Sequence, residues 1–347
     1  MAALLTLADA ARRFDPNGAV SQIAELLSQL NEIFRDMLWL EGNLPTGHVG
    51  TVRTGLPQGT YRLFNQGVAP TKSLTAKVQA SIGELVGYSV IDRSLARLNG
   101  NVGAFRTKED NAFLMGMNQQ QASTFIYGNA LTSPQAFTGF SPLYSTSTTT
   151  TAQNAKNVVS GGGTASANTS MWLISWGDNT CYGIYPKGGQ AGLVFENKGD
   201  IVPAYDSSSN RFEAYTSMFM WQAGLFLEDW RYVVRFANID TTTVTKGLFG
   251  TTPPDLFAYM IQMVYQLPTC NRRVTPHQET DAPDEVAPGI VPAFYMNRKL
   301  RLAADQQAIR QKNVLLSVQD YAGEPIVHFR GIPMRTCDAI LNNEAAI

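Results

Sequence analysis

The residues most able to do chemistry in this chain of 347 residues are three histidines, three cysteines and one glycine-rich octapeptide. The octapeptide, Gly183-Ile184-Tyr185-Pro186-Lys187-Gly188-Gly189-Gln190, has the glycine spacing of a phosphate loop. No Lys-Ser/Thr pair follows its second glycine, so a triphosphate and its Mg²⁺ would find neither lysine nor hydroxyl. Pro186 also stiffens a loop whose amides would have to converge, and a structural turn is the expected role. His48, His277 and His328 never stand four residues apart, which excludes a helical metal pair. His328 falls in strand-like text and reads as a satisfied sheet residue. Cys181, Cys270 and Cys337 are far apart and odd in number, with no Cys-x-x-Cys. That argues against a zinc site or disulfide framework and for folding in a reducing compartment. A Cys–His nucleophile pair would need the fold alone to bring its members together. No Gly-x-Ser-x-Gly elbow is present. Asp229 and Arg231 flank Trp230 in strand-like text, which points both to one face; a buried structural ion pair is expected there rather than a substrate clamp. Asn168-Thr169-Ser170 matches a glycosylation acceptor, but no secretory signal precedes it. No catalytic, cofactor-binding or metal-ligating residue is assigned, and no cofactor is expected.

Composition points the same way. Lys and Arg number 27 and Asp and Glu 28, a net charge of −1. That argues against a nucleic-acid binder driven by phosphate neutralisation and against attachment to an anionic membrane. Charged residues make up 16% of the chain, against about 25% in an ordinary soluble protein. A surface that needs few charges is often one that meets other protein. No apolar run approaches the roughly 18 residues of a membrane span.

The elements are read from periodicity. Ile23, Leu26, Leu27, Leu30, Ile33, Phe34, Met37 and Leu38 form a helical stripe after Asp15-Pro16-Asn17. Two readings of it stand, a helix on its own core or an arm on a neighbouring subunit. Thr46–Lys77 holds five glycines and two prolines. It reads as a long two-stranded excursion, with short strands at His48–Arg53 and Thr60–Phe64 and Gly-Leu-Pro-Gln-Gly at its tip. An excursion of that length without its own core fits a functional loop or assembly arm. Leu74–Ile91 reads as a returning strand, Phe105–Tyr127 as a helix stopped by Gly128-Asn129, and the low-complexity Ser145–Ser170 as an exposed loop. Met171–Trp176 reads as a buried strand and Phe219–Asn238 as one long strand. Asp255–Gln266 and Arg298–Gln311 read as helices, the former with its cap and prolines in Thr251–Pro254. Val314–Val318 and Pro325–Phe329 read as a hairpin. With strands and helices segregated, the class is α+β.

Seven blocks in order resemble the major capsid protein of tailed bacteriophages. They are Phe125-Ile126-Tyr127-Gly128-Asn129 with Pro134 and Phe137-Thr138-Gly139-Phe140; Trp172-Leu173-Ile174-Ser175-Trp176-Gly177; Gly183-Ile184-Tyr185-Pro186-Lys187-Gly188; Trp221-Gln222-Ala223-Gly224-Leu225; Asp229-Trp230-Arg231-Tyr232-Val233-Val234-Arg235; Phe294-Tyr295-Met296-Asn297-Arg298; and Phe329-Arg330-Gly331-Ile332-Pro333 with Asp338-Ala339-Ile340. The resemblance covers most of residues 1–347 and is nearest to podovirus-like phages of the Bordetella phage type.

The resemblance implies the α+β Hong Kong ninety-seven type capsid fold. Residues 1–45 would then be the N-terminal arm, 46–77 the E-loop, and 78–170 the P-domain with its spine helix near 105–127. Residues 171–240 would be strands shared between A- and P-domains, 241–325 mainly A-domain, and 326–347 the C-terminal strand and tail. In the usual chain order the Asp/Arg-bearing strand follows the A-domain, whereas here it precedes the Asp255–Gln266 helix; a permuted element order stays open. The implied function is self-assembly, as pentamers and hexamers, into the icosahedral head shell around a double-stranded DNA genome. The alternative is an encapsulin-like shell or another virion structural protein of related fold. The implied partners are further copies of the chain, a separate scaffolding protein, a portal at one vertex, a decoration or cement protein, and packaged DNA held without sequence specificity. No membrane is involved, and the site of assembly is the host bacterial cytoplasm. Candidate intersubunit contacts are Ile23, Leu27, Leu30, Phe34 and Leu38 of the stripe, with Arg53, Tyr61, Arg62, Lys72 and Lys77 of the excursion. Lys72 and Lys77 near the E-loop could in principle form isopeptide links, as some relatives do, but no partner motif is readable.

Overall fold

The computed structural model describes residues 31–98, 101–148, 152–164, 166–199, 202–206, 208–242, 247–268, 290–311, 316–321 and 324–347. The chain opens with α1 (Ile33–Asp36), β1 (Trp39–Glu41), β2 (Gly47–Gly55) and β3 (Leu74–Asp92). The helices α2 (Arg93–Arg97), α3 (Val102–Tyr127) and α4 (Phe140–Leu143) follow. Then come β4 (Val158–Ser160), β5 (Asn168–Trp176), β6 (Cys181–Tyr185), β7 (Leu193–Asn197), β8 (Val202–Tyr205), β9 (Arg211–Leu227) and β10 (Val233–Asp240). The chain ends with α5 (Leu256–Gln266), β11 (Val291–Met296), α6 (Arg298–Gln311), β12 (Leu316–Tyr321), β13 (Glu324–Phe329) and β14 (Ile332–Thr336).

The strands form two sheets. One runs β1-β6-β9-β3-β2, with β7 and β8 also paired to β9. The other runs β12-β13-β14-β11-β5-β10-β4. In the first, β3 and β9 lie antiparallel from Ile82 opposite Gly224 to Asp92 opposite Ala214. Their inward residues meet α3, where Phe113 stacks on Phe219 with ring centroids 6.1 Å apart. Asn101 caps α3, its side chain accepting the Ala104 N–H at 3.1 Å. Gly128 stops it for a steric reason rather than by a left-handed cap: its φ is −53°, and a Cβ there would fall 2.5 Å from the Thr124 carbonyl oxygen and 2.6 Å from that of Phe137.

In the second sheet, β5 is buried along its whole length, because both faces are covered. Met171 and Leu173 join Met260, Met263, Leu300 and Ala304 of α5 and α6. Trp172, Ile174 and Trp176 face the other way, into a core shared with Phe125 of α3 and Phe219 and Trp221 of β9. The period of two along one strand therefore joins both sheets.

A buried ionic cluster fastens the C-terminal segment across this core. Arg235 and Glu344 pair at 2.9 Å with side chains 3% and 5% exposed. Tyr127 of α3 donates to the other Glu344 oxygen at 2.5 Å, and Ser170 also donates to the carboxylate. Arg235 further donates to the Tyr144 carbonyl at 2.9 Å and lies 5.0 Å over the Trp172 ring. Burial first, and then the Glu344 carboxylate, push the Tyr127 phenol far above its ordinary range.

Several expectations are corrected. The run Phe219–Asn238 is two strands in different sheets, parted by a 3-10 turn at Trp230–Tyr232. Asp229 and Arg231 do pair, at 2.6 Å, but across that turn and with Arg231 57% exposed, so the pair is neither on a strand nor buried. Asn157 holds the turn, donating to the Arg231 and Val233 carbonyls at 3.0 Å. The described part of the low-complexity segment is thus partly ordered and buried, with a 3-10 turn at Gln153–Asn157 and then β4. The stripe through Ile33, Phe34, Met37 and Leu38 is not one helix: α1 ends at Asp36 and Met37 is extended, at ψ 126°. Residues 60–64 form no strand. Helix α3 begins three residues before its expected start, and α5 is capped by Asp255 rather than by the threonines and prolines before it. The strands read at His48–Arg53, Leu74–Ile91 and Met171–Trp176 and the helix Arg298–Gln311 are present, and the expected hairpin is the antiparallel β12–β13 pair, its first strand starting two residues later than read.

Candidate assembly interface

The excursion is a hairpin that leaves the body of the subunit. Strand β2 pairs antiparallel with β3 from Gly47 opposite Ser81 to Gly55 opposite Leu74. Beyond this ladder, residues 56–73 form the tip, where every residue is exposed. Its own bonds are few: Arg62 donates to the Gln66 carbonyl at 3.1 Å, Thr71 to that of Gln58 at 3.3 Å, and the Gln66 N–H to the Leu63 carbonyl at 3.2 Å. Leu56 and Leu63 are 75% and 71% exposed, and Tyr61 and Phe64 essentially fully so. Burying one such side chain is worth about 1.5–3 kcal/mol, so a contiguous group left in water marks a surface that another surface covers. From residue 47 to 78 the hairpin carries Arg53, Arg62, Lys72 and Lys77 and no Asp or Glu. A backbone kept extended by prolines, a large apolar display and one sign of charge equip this segment for protein contact.

Its root is packed and bonded. Gly50 faces Phe226 of β9 so closely that a Cβ would lie 2.5 Å from the ring. His48 is wedged edge-on to the same ring, 4.5 Å between centroids, and near Tyr182 of β6 at 5.9 Å. The Asn43 N–H donates to His48 Nδ1 at 3.3 Å, and Nε2 lies 3.4 Å from the Tyr182 hydroxyl. The Asn43 side chain donates to the Val49 carbonyl at 2.7 Å and accepts the Val49 N–H at 2.9 Å. Burial lowers the imidazole below its ordinary value. It also pushes the Tyr182 phenol up, with help from Glu228 and Asp178.

The candidate contacts separate into three groups. Arg53, Tyr61, Arg62, Lys72 and Lys77 are all exposed on the hairpin. Phe34 and Leu38 pack on their own subunit. Phe34 meets the rings of Trp221 and Phe125 at 5.1 and 5.6 Å, and Leu38 lies on the cluster of Tyr182, Ile184 and Phe226. Ile23, Leu27 and Leu30 lie outside the described residues, as do Cys270 and His277. Sequence reasoning missed Leu56, Leu63, Phe64 and Val68; apolar residues set singly among glycines and prolines were the available signal. It also missed the root, because nothing in the spacing connects His48 to Phe226. The octapeptide at 183–190 is the end of β6 and a turn, with Gly188 at φ 77°. Cys181 and Cys337 are free and buried. Among the described residues no group of His, Cys, Asp or Glu could hold a metal ion, and no helix is long and apolar enough to cross a membrane.

A protein-family comparison matches residues 15–347 to the major capsid protein GP7. The chain belongs to that family. It is also similar to a chain of the bacteriophage Epsilon15 structure, at 32% identity and a TM-score of 0.73, covering 100% of this chain and 98% of the other. The bacteriophage JBD30 capsid matches at 10% identity and a TM-score of 0.43, covering 91% and 96%. The holo-SrpI encapsulin complex of Synechococcus elongatus matches at 11% and 0.43, covering 70% and 98%. No curated protein sequence matches the chain. As a GP7-family member, the protein has the Hong Kong ninety-seven type capsid fold and is the major capsid protein of a tailed phage, a component of the virion head. The family is a structural one rather than an enzyme class, and its members build a multimeric shell.

Proposed function

We propose that the chain assembles as pentamers and hexamers which close into an icosahedral shell around double-stranded DNA, and that residues 56–73 clasp a second copy. The observation that carries this reading is the hairpin tip, with large apolar side chains exposed and no acidic residue. In the family's terms, residues 46–77 are the E-loop, α3 is the spine helix of the P-domain, residues 171–240 give strands shared between A- and P-domains, and residues 241–325, with α5 and α6, are mainly A-domain. Residues 1–45 serve as the arm. Shells of this kind form in the bacterial cytoplasm with a scaffolding protein, take a portal at one vertex and accept a decoration protein on the outside. A net charge of −1 suits an inner surface that must not grip packed DNA. Amide exchange tests the clasp directly. Residues 56–73 should exchange fast in the unassembled subunit and slowly in the particle. Fast exchange in both would leave the tip with no partner and overturn this reading.

A further inference from the structure

A hairpin that spans two subunits must be aimed, and its root is where the direction is set. We propose that His48 is a proton-operated latch on the hairpin, holding it in one direction when neutral and releasing it when protonated. This rests on residues 56–73 being a subunit-spanning clasp. The latch has two jaws. One is the imidazole, whose Nδ1 accepts the Asn43 N–H at 3.3 Å. An Nδ1 that accepts is unprotonated, which assigns the proton to Nε2, facing the Tyr182 hydroxyl at 3.4 Å. The other is the Asn43 side chain, clamped on both backbone groups of Val49. The segment that bears Asn43 is anchored in turn to the body. The Gly42 N–H donates to the Tyr185 carbonyl at 2.8 Å, and Glu41 accepts the Gly188 N–H at 2.7 Å.

Protonation undoes this arrangement at one atom. A proton on Nδ1 faces the Asn43 N–H, so two donors oppose each other where a bond stood. The new cation also lies against the Phe226 and Tyr182 rings, where partial burial removes some of its hydration. The packing around Gly50 leaves no slack for a sideways shift, so the strain is relieved by moving the hairpin. The charged groups around the ring are few. Glu41 lies on β1 and is bonded to the Gly188 backbone. Glu228 lies just past β9 and Asp178 just before β6, both behind Tyr182 and both acting on it. Partial burial disfavours the imidazolium, and His48 sits below the ordinary histidine value of 6.5. The unfolded chain therefore binds this proton more readily. The latch contributes fully above about pH 6.5, and its contribution is lost as pH falls through the lowered folded value.

The test is amide exchange of residues 47–55 and 74–81 in the full-length unassembled subunit between about pH 8 and pH 5, expressed as protection factors. His48→Asn serves as the non-titrating variant, since its amide oxygen can still accept the Asn43 N–H. Protection in the wild type should fall by about tenfold at the acid end while that of Gly83–Asp92 holds, and His48→Asn should flatten the change. The same acid dependence in both proteins, or none in the wild type, overturns the latch. If His48→Asn fails to fold by circular dichroism, an NMR titration of His48 decides. Its midpoint must coincide with the loss of hairpin protection, and a mismatch overturns the proposal. Particle formation at neutral pH, scored separately, reports on the clasp and not on the latch.

Discussion

At the scale of single residues, the Arg235–Glu344 pair is a buried restraint on the C-terminal segment. Both charges are out of water: Ser170 and Tyr127 donate to the Glu344 carboxylate, and Arg235 donates to the Ser170 hydroxyl and the Tyr144 carbonyl. Removing one partner strands the other, a loss of about 3–5 kcal/mol. Glu344→Leu should therefore lower the free energy of unfolding measured in urea by about that amount, whereas Glu228→Leu, at a half-buried position just past β9, should change it little. The cysteines give a second prediction. Burial pushes the Cys337 thiol up to about 12 and Cys181 well above its ordinary value. Thiolate is the reactive form, so both should resist iodoacetamide at neutral to mildly alkaline pH in the folded subunit and react once it is unfolded. Equal labelling rates in the two states would contradict the burial described. Little of this was legible in the text. Arg235 and Glu344 lie 109 residues apart, and no spacing rule links them. What sequence did reveal was negative. The histidines and cysteines had no pattern for metal or nucleophile, and His328 took a place in β13.

At the scale of elements, legibility followed the origin of each signal. Helices α5 and α6 and strand β5 carry their own apolar pattern, and their limits were close to those read. The break between β9 and β10 was hidden, because strand-like text does not say which sheet a strand joins. That break is set from outside, by Asn157 and by the Thr180 carbonyl, which accepts the Glu228 and Asp229 N–H groups at 2.9 and 3.2 Å. The stripe before Trp39 misled for the converse reason: a helical period continues through Leu38, but Phe34 and Leu38 are claimed by different patches of the same core. The hairpin was legible as an excursion from its glycines and prolines, though not the display at its tip. Phe64→Asp belongs to this scale. The residue touches little in its own subunit, so circular dichroism and thermal midpoint should be unchanged, while particle yield should fall several-fold from a charge placed in a covered apolar contact. A lowered thermal midpoint with normal particle yield would place Phe64 in the subunit's own core instead.

At the scale of the whole molecule, the two sheets share one core, yet the hairpin tip, with Leu56, Tyr61, Leu63 and Phe64 exposed, lies outside it. A charge content of 16% agrees with a subunit whose edges meet other subunits, and the α+β class followed from segregated strands and helices. The resemblance carried the fold type, which composition alone could not. The central claim is assembly, and electron microscopy of the full-length chain produced together with its scaffold tests it most directly. Closed particles of uniform size, built from fivefold and sixfold capsomers, are the predicted result. A folded protein that stays monomeric or forms only small oligomers would contradict it.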